Sequence, residues 1–311
     1  MKKNILVFGS YVREYISRQT GLPLPGQTLT GNAFLLGHGG KGSNQAIAAL
    51  KAGANVTFVT KIGDDEAGRS ALEFYHQQGM STDFFLIDPT RTSGAALVMV
   101  DEVSAQNQIV VVPGASDAFT DADVESRRSL LEQADIVLFQ HEINEDAQNK
   151  AIAIAHNAGA LVVVNPAPAR PIPDRVLAMV DIITPNESEA KALTGIQVVD
   201  EASAARAAQM FLDKGVKQVV ITMGSMGAFA SDGQRQELLP SLHVEAVDTT
   251  GAGDAFNGGL VTALSQGHDL FTAIRYGNVV GALSVTKIGS AVAMPTKAEI
   301  DAMFSTHYSE V

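Results

Sequence analysis

The sequence predicts an α/β protein: a doubly wound, mostly parallel sheet flanked by helices, with a small β-sheet lid. Three observations predict it. Apolar runs at 4–8, 56–60, 136–140, 161–165, 182–184 and 218–222 read as buried strands and alternate with helical patterns, which implies a parallel sheet covered on both faces. Two strand-rich segments, at about 11–36 and 92–113, interrupt that alternation and are expected to pair into one sheet over a cleft. No internal repeat or low-complexity stretch divides the chain, so residues 1–311 are read as one domain.

In order, the first run ends at Gly9-Ser10. Polar and apolar residues then mix through Leu36, with Pro23, Pro25 and Gly26 breaking the middle, as in two short strands joined by a turn. Helical patterns follow to Leu50 and over 66–78. Residues 95–100 and 108–112 are β-rich and joined by a polar stretch, which predicts a hairpin. Helices near 144–157, 187–194 and 202–214 separate the later strands. Asp232-Gly233 lies between apolar runs at 229–231 and 237–239, a hairpin turn signal. Residues 243–247 alternate as a half-buried strand does, and 270–286 read as helix.

Composition narrows the function. A hydrophobic content of 46% supports a sizeable core, and a net charge of −12 argues against a nucleic-acid binder. There is no cysteine, hence no disulfide, thiolate metal site or thiol nucleophile. Lys2-Lys3 and the run behind it stop far short of a signal or membrane segment, so a cytoplasmic soluble protein is the expectation.

The chain is organised around Asp248-Thr249-Thr250-Gly251-Ala252-Gly253-Asp254-Ala255-Phe256-Asn257-Gly258-Gly259. Phe256, Leu260 and Leu264 recur at four-residue spacing, so the glycines sit where a strand would turn into a helix. The first N–H groups of such a helix lack internal partners and carry partial positive charge, which suits a phosphate. Gly251 and Gly253 keep side chains off that ligand. Asp254 would be repelled by it. It is either a first-turn acid that favours the helix or a general base taking a proton from an alcohol while the N–H groups hold a phosphoryl group.

Other motifs are individually weak. Gly37, Gly39 and Gly42 satisfy G-x-G-x-x-G, but the next strand ends in Thr60-Lys61 where a NAD site wants an acid. Lys41, Asn44 and the glycine N–H groups could instead bind a polyol. His38 reads as an ordinary loop histidine. Asn186-Glu187-Ser188-Glu189 opens a helix, with acids that either favour its N-terminus or hold magnesium through water. Thr222-Met223-Gly224-Ser225-Met226-Gly227 leaves a strand with two glycines, which allows close approach to nucleotide phosphates or a plain turn.

Gly39-Gly40-Lys41-Gly42-Ser43-Asn44-Gln45-Ala46 and Asp248 to Phe256 resemble the two signatures of the ribokinase-like, PfkB-type carbohydrate kinases, and the similarity spans essentially the whole chain. Asn165-Pro166-Ala167-Pro168-Ala169-Arg170 and Thr184-Pro185-Asn186-Glu187 are similar to segments typical of ribokinases. The resemblance implies ATP-dependent phosphorylation of a sugar hydroxyl, magnesium, an activating potassium ion, and a homodimer through the lid. It implies Asp254 as catalytic base and sugar contact, with the N–H groups of Gly251, Ala252 and Gly253 as anion hole. Glu189 matches the magnesium-organising acid. Asn186, Thr222, Gly224, Ser225, Gly227, Gly253 and Asn278 match nucleotide contacts. Asp248 and Thr250 match monovalent-cation positions, with Ser284, Lys287 and Gly289 near the rest of that loop. Gly40, Lys41, Asn44 and Glu142 match sugar contacts.

One departure stands out. Ribokinases usually carry Asn-x-Asp after the first strand, and both side chains hold sugar hydroxyls; here Val12 and Glu14 occupy those positions. Valine cannot make that hydrogen bond, which puts D-ribose in doubt. Arg13 and Arg18 nearby raise a sugar acid as substrate. A nucleoside kinase and a non-catalytic sugar or nucleotide sensor are the remaining alternatives.

Overall fold

A computed structural model describes residues 3–104 and 106–308, so Lys2 of the N-terminal pair and Ala105 of the second lid segment lie outside the described residues. The strands are β1 (Asn4–Phe8), β2 (Val12–Gln19), β3 (Ala33–Gly39), β4 (Asn55–Val59), β5 (Lys61–Gly63), β6 (Leu86–Asp88) and β7 (Gly94–Asp101). They continue with β8 (Asn107–Val112), β9 (Ile136–Gln140), β10 (Leu161–Asn165), β11 (Ile182–Ile183), β12 (Gln218–Thr222), β13 (Ala228–Ser231) and β14 (Gln236–Leu239). The helices are α1 (Lys41–Lys51), α2 (Glu66–Gln77), α3 (Asp121–Ser126), α4 (Arg128–Gln133), α5 (Glu145–Ala158) and α6 (Asp174–Leu177). After them come α7 (Glu187–Thr194), α8 (Glu201–Asp213), α9 (Ala252–Ser265), α10 (Leu270–Ser284) and α11 (Lys297–His307).

The main sheet runs β14-β13-β12-β11-β10-β9-β1-β4. It is parallel from β4 to β12 and antiparallel at β13 and β14. Successive strand side chains point to opposite faces, and β1 shows why its run is apolar throughout. Ile5 and Val7 join a core with α1, α9 and α10, while Leu6 and Phe8 join a second core with α3, α4, α5 and α8. The chain leaves β1 toward β4 and returns to β9 on β1's other side. That reversal opens a crevice at the carboxyl ends of the strands, the usual ligand position in such sheets.

A second sheet, β3-β2-β7-β8, is the small lid. One cross-strand row holds Leu36, Tyr15, Leu97 and Val110 in register. All four are exposed, whereas Val12 and Glu14 point to the opposite face by alternation.

Two expectations are corrected. Residues 243–247 form no strand. They cross the edge of a cavity, and Val247 and Asp248 donate their N–H groups to the Val285 carbonyl at 2.7 and 3.1 Å, so this stretch is a mostly exposed loop tied to the end of α10. The first lid segment does not end at Leu36 either. Gly37 and Gly39 lie within β3, which runs three residues past Leu36, and α1 begins directly at Lys41.

Candidate active site

The crevice gathers polar residues from the ends of β1, β9, β10 and β12 and from the first turns of α1, α7 and α9. After β1, Ser10 Oγ donates to Glu142 Oε2 at 2.5 Å, and the Lys41 N–H donates to the same oxygen at 2.7 Å. Glu142, which follows β9, therefore supplies an acceptor to the uncapped start of α1.

Gly251 is the N-cap of α9, with φ 76 in the left-handed region that glycine tolerates. It has no side-chain cap; of the N–H groups of the first turn, that of Ala252 donates to the Thr249 carbonyl at 3.2 Å. A Cβ on Gly253 would meet nothing within 4 Å, because it faces the open cavity. Asp254, 6% exposed, does not cap its helix. Its Oδ2 accepts from Asn44 Nδ2 at 2.9 Å and its Oδ1 from Gln45 Nε2 at 2.9 Å. Helices α1 and α9 approach closely enough for this because Gly258 is bare: a Cβ there would lie 2.4 Å from Ala48 Cβ. Asn44 Oδ1 is buried without a protein partner and offers an acceptor to a substrate hydroxyl. The negative charge of Asp254 raises the Lys41 pKa most, opposed by burial and assisted by Glu142 and Glu189.

Glu14 reaches across β3. A Cβ on Gly37 would lie 2.3 Å from Glu14 Oε2, and one on Gly39 would lie 2.1 Å from Oε1. The G-x-G pattern is thus a bare strip that accommodates the longer carboxylate. Ser290 Oγ lies 3.0 and 3.1 Å from the two Glu14 oxygens. Burial pushes the Glu14 pKa up, with the Ser290 hydrogen bond opposing.

The arginines have other partners. Arg13 Nη1 donates to His38 Nε2 at 2.7 Å, and Tyr11 Oη lies 3.0 Å from His38 Nδ1. Since Nε2 accepts, Nδ1 carries the proton and donates to Tyr11. The ring stacks on Phe74 at 4.2 Å, and burial followed by the Arg13 charge brings its pKa down to about 4. Arg18 pairs with Glu102 at 3.2 Å. His38 therefore lies within β3 with both ring nitrogens partnered, not in a loop, and Arg13 and Arg18 each have a side-chain partner in the same sheet region.

On the other side of Asp254 lies a cavity of about 590 Å³. Its lining includes Lys41, Asn186, Glu189, Thr222, Gly224, Ser225, Gly227, Gly251, Ala252, Gly253, Asp254 and Asn278. Leu242, His243, Val244 and Ala246 complete a wall that the strand expectation had concealed. Asn186 caps α7, with its Oδ1 accepting from the Glu189 N–H at 2.8 Å, and the Glu189 carboxylate accepts from the Asn186 N–H at 2.9 Å. Burial raises the Glu189 pKa. Asn278 Nδ2 donates to the Pro240 carbonyl at 3.1 Å. Gly40 precedes Lys41 with φ 92 and bears no side chain into the crevice.

Beneath the turn, Asp248 accepts from the Thr250 N–H at 2.9 Å and the Gly289 N–H at 3.0 Å. Ser284 Oγ bonds to the Gly281 carbonyl, and the Lys287 ammonium pairs with Glu299 at 2.7 Å. Asp248, Thr250 and Gly289 are thus brought together, while the side chains of Ser284 and Lys287 point elsewhere. Ser10, Gln45 and Ser290 carried no role in the sequence expectations. The only signal for them was polarity at a strand end, inside an apolar helix face, or in a glycine loop.

The model of the pfkB family carbohydrate kinases matches residues 2–297. The ribokinase of Haemophilus influenzae is 40% identical over 299 residues, covering 96% of this chain and 97% of the relative. A deoxyribokinase of Salmonella typhi is 32% identical, covering 94% and 96%. The structure of an Arabidopsis thaliana ribokinase complexed with ribose and ATP superposes with a TM-score of 0.88 at 28% identity, covering 97% and 99%. Both glycine signatures, the buried acid at the head of α9 and these similarities lead to one assignment: the chain belongs to the pfkB family of carbohydrate kinases and is a ribokinase-type sugar kinase, a phosphotransferase with an alcohol group as acceptor.

Proposed function

We propose that this enzyme transfers the γ-phosphoryl group of ATP to the primary hydroxyl of a pentose or related sugar. The hydroxyl oxygen forms a bond to the γ-phosphorus, the bond to the β–γ bridging oxygen breaks, and Asp254 receives the hydroxyl proton as ADP leaves. The observation that carries this is the place of Asp254: it is buried, turned toward Asn44 and Gln45, and stands between the lid-side polar cluster and the large cavity. The N–H groups of Gly251, Ala252 and Gly253 hold the migrating phosphoryl. Stabilisation of this kind is usually the largest catalytic contribution.

The sugar lies against Gly40, Lys41, Asn44, Glu142 and Glu14. ATP lies along Asn186, Thr222, Gly224, Ser225, Gly227 and Asn278. Glu189, lining the cavity as an anionic acceptor, suits magnesium held through water, which would neutralise phosphate charge. Asp248, Thr250 and Gly289, with Ser284 and Lys287 in the neighbouring chain segment, suit a potassium ion. Two copies pair through the apolar outer row of the lid, and the enzyme works in the cytoplasm. Val12 adds a second reading of the substrate: 4% exposed and on the Glu14 face of β2, it favours a sugar with a methylene where ribose has a hydroxyl. The deoxyribokinase relative supports that choice.

ADP release with D-ribose, 2-deoxy-D-ribose, a nucleoside and a sugar acid, with and without potassium, tests both. Turnover of a pentose is expected, as is an Asp254→Asn variant that binds ATP but does not turn over. Substantial activity in that variant would remove the base assignment.

A further inference from the structure

Gln45 sits in the middle of α1, where a polar residue ordinarily faces water, yet it is 0% exposed. Its Nε2 donates to Asp254 Oδ1 at 2.9 Å and to Asn165 Oδ1 at 3.0 Å, and its Oε1 accepts from Gln140 Nε2 at 2.7 Å. The direction of every bond is fixed from outside. The Thr184 carbonyl can only accept, so Asn165 turns Nδ2 to it at 2.8 Å and presents Oδ1 to Gln45. Gln45 must then offer its amide nitrogen, which is also what a carboxylate requires. On the other side, the Gly253 carbonyl accepts from Asn257 Nδ2 at 2.8 Å, leaving Asn257 Oδ1 to accept from Thr184 Oγ1 at 2.7 Å. The path from Asp254 through Gln45, Asn165, Thr184 and Asn257 therefore closes on Gly253, the residue before Asp254.

Resting on Asp254 as the base, we propose that Gln45 is a positioning residue held by this closed ring, in which its amide nitrogen donates both to Asp254 and to Asn165, and that the ring ties the carboxylate that receives the proton to the backbone that grips the phosphoryl group. Asn165, Thr184 and Asn257 are 7%, 1% and 1% exposed, so water does not compete for these bonds. Asn165, Gly253, Asp254 and Asn257 line the cavity, whereas Gln45 and Thr184 do not. The ring keeps the carboxylate aligned with the anion hole through the transfer, where small misplacements are costly in rate. Its loss lowers kcat while binding of either substrate is preserved.

The test is Gln45→Met, which keeps the side-chain length and removes both donors, assayed by ADP release with ATP and with D-ribose and 2-deoxy-D-ribose as probes. Loss of a hydrogen bond to a charged group predicts kcat lower by about 10- to 100-fold. KM for ATP and sugar should stay within about threefold, which loss of substrate contacts would not produce. Thr184→Val breaks the far side of the ring with little change of shape. It should lower kcat several-fold at unchanged KM, and it decides the matter alone if Gln45→Met does not fold. A folded Gln45→Met enzyme with normal kcat, or one that loses sugar affinity and keeps kcat, overturns the proposal, as does a fully active Thr184→Val. Asp254→Asn, measured alongside, separates the two levels. If it is inactive while the ring variants are normal, only the ring is lost; if it is active, the base assignment falls and the ring with it.

Discussion

Adding one methyl group at Gly39 should disable sugar recognition and leave the fold intact. Gly39 pairs with Val12 at the base of the lid, and its φ is not in the region reserved for glycine, so alanine fits the backbone. The new Cβ would lie 2.1 Å from Glu14 Oε1, 2.6 Å from its Cδ and 2.9 Å from its Cγ. Those atoms end a flexible side chain, so the carboxylate swings away and β3 stays in place. It then loses its bond to Ser290 and any bond to the sugar. A hydrogen bond to a charged group contributes about 1.5–3 kcal/mol, which corresponds to a loss of about 10- to 100-fold in kcat/KM for sugar. KM for ATP should hold, since the cavity lining on the nucleotide side does not include Gly39. The assay is ADP release over a sugar titration at saturating ATP, with thermal unfolding to confirm the fold. A variant with wild-type kcat/KM for its sugar would refute the placement of Glu14 in the sugar site.

Two further outcomes follow from the lid. His38, lowered to about 4 by burial and the Arg13 charge, is neutral in the folded protein and takes up a proton on unfolding below its ordinary value of 6.5. Its contribution to stability is therefore present above 6.5 and is lost as pH falls toward 4; urea unfolding should show the midpoint dropping across that window, less steeply in His38→Gln. His141, lowered to about 3 by burial and the Arg170 charge, supplies a second contribution of the same sign, so an equal slope in the variant would assign the effect to His141 alone. In the outer row, Leu97 and Val110 are 53% and 57% exposed, and replacing both with glutamate should convert the proposed dimer to a monomer in sedimentation; a wild-type dimer whose mass is unchanged in the variant would exclude this face as the contact.

The main sheet was legible because its strands are buried on both faces and so read as unbroken apolar runs, β1 being the clear case. The lid strands were legible as interruptions in that pattern. Period alone misled at 243–247, because a mostly exposed loop along a cavity edge can carry a strand's polar–apolar spacing without pairing with any strand. It also said nothing of α3 and α4, which are six residues each. At the site, the turn before Asp254 was legible because glycine at a helix start has few explanations. Gly37 and Gly39 were not, since their reason lies in a glutamate on the neighbouring strand. Gln45 was hidden for a related cause. A glutamine in a helix looks solvated until the carboxylate 209 positions away is brought against it.

The tie between Glu14 and Ser290 joins positions 276 apart. A ribosome completes the first long before it delivers the second. Until then the half-made chain lacks the hydroxyl that holds the Glu14 carboxylate, and the acid at 254 has not met its amide partners while the chain is shorter still. The Glu14 carboxylate can therefore take up its final position only once translation has passed residue 290.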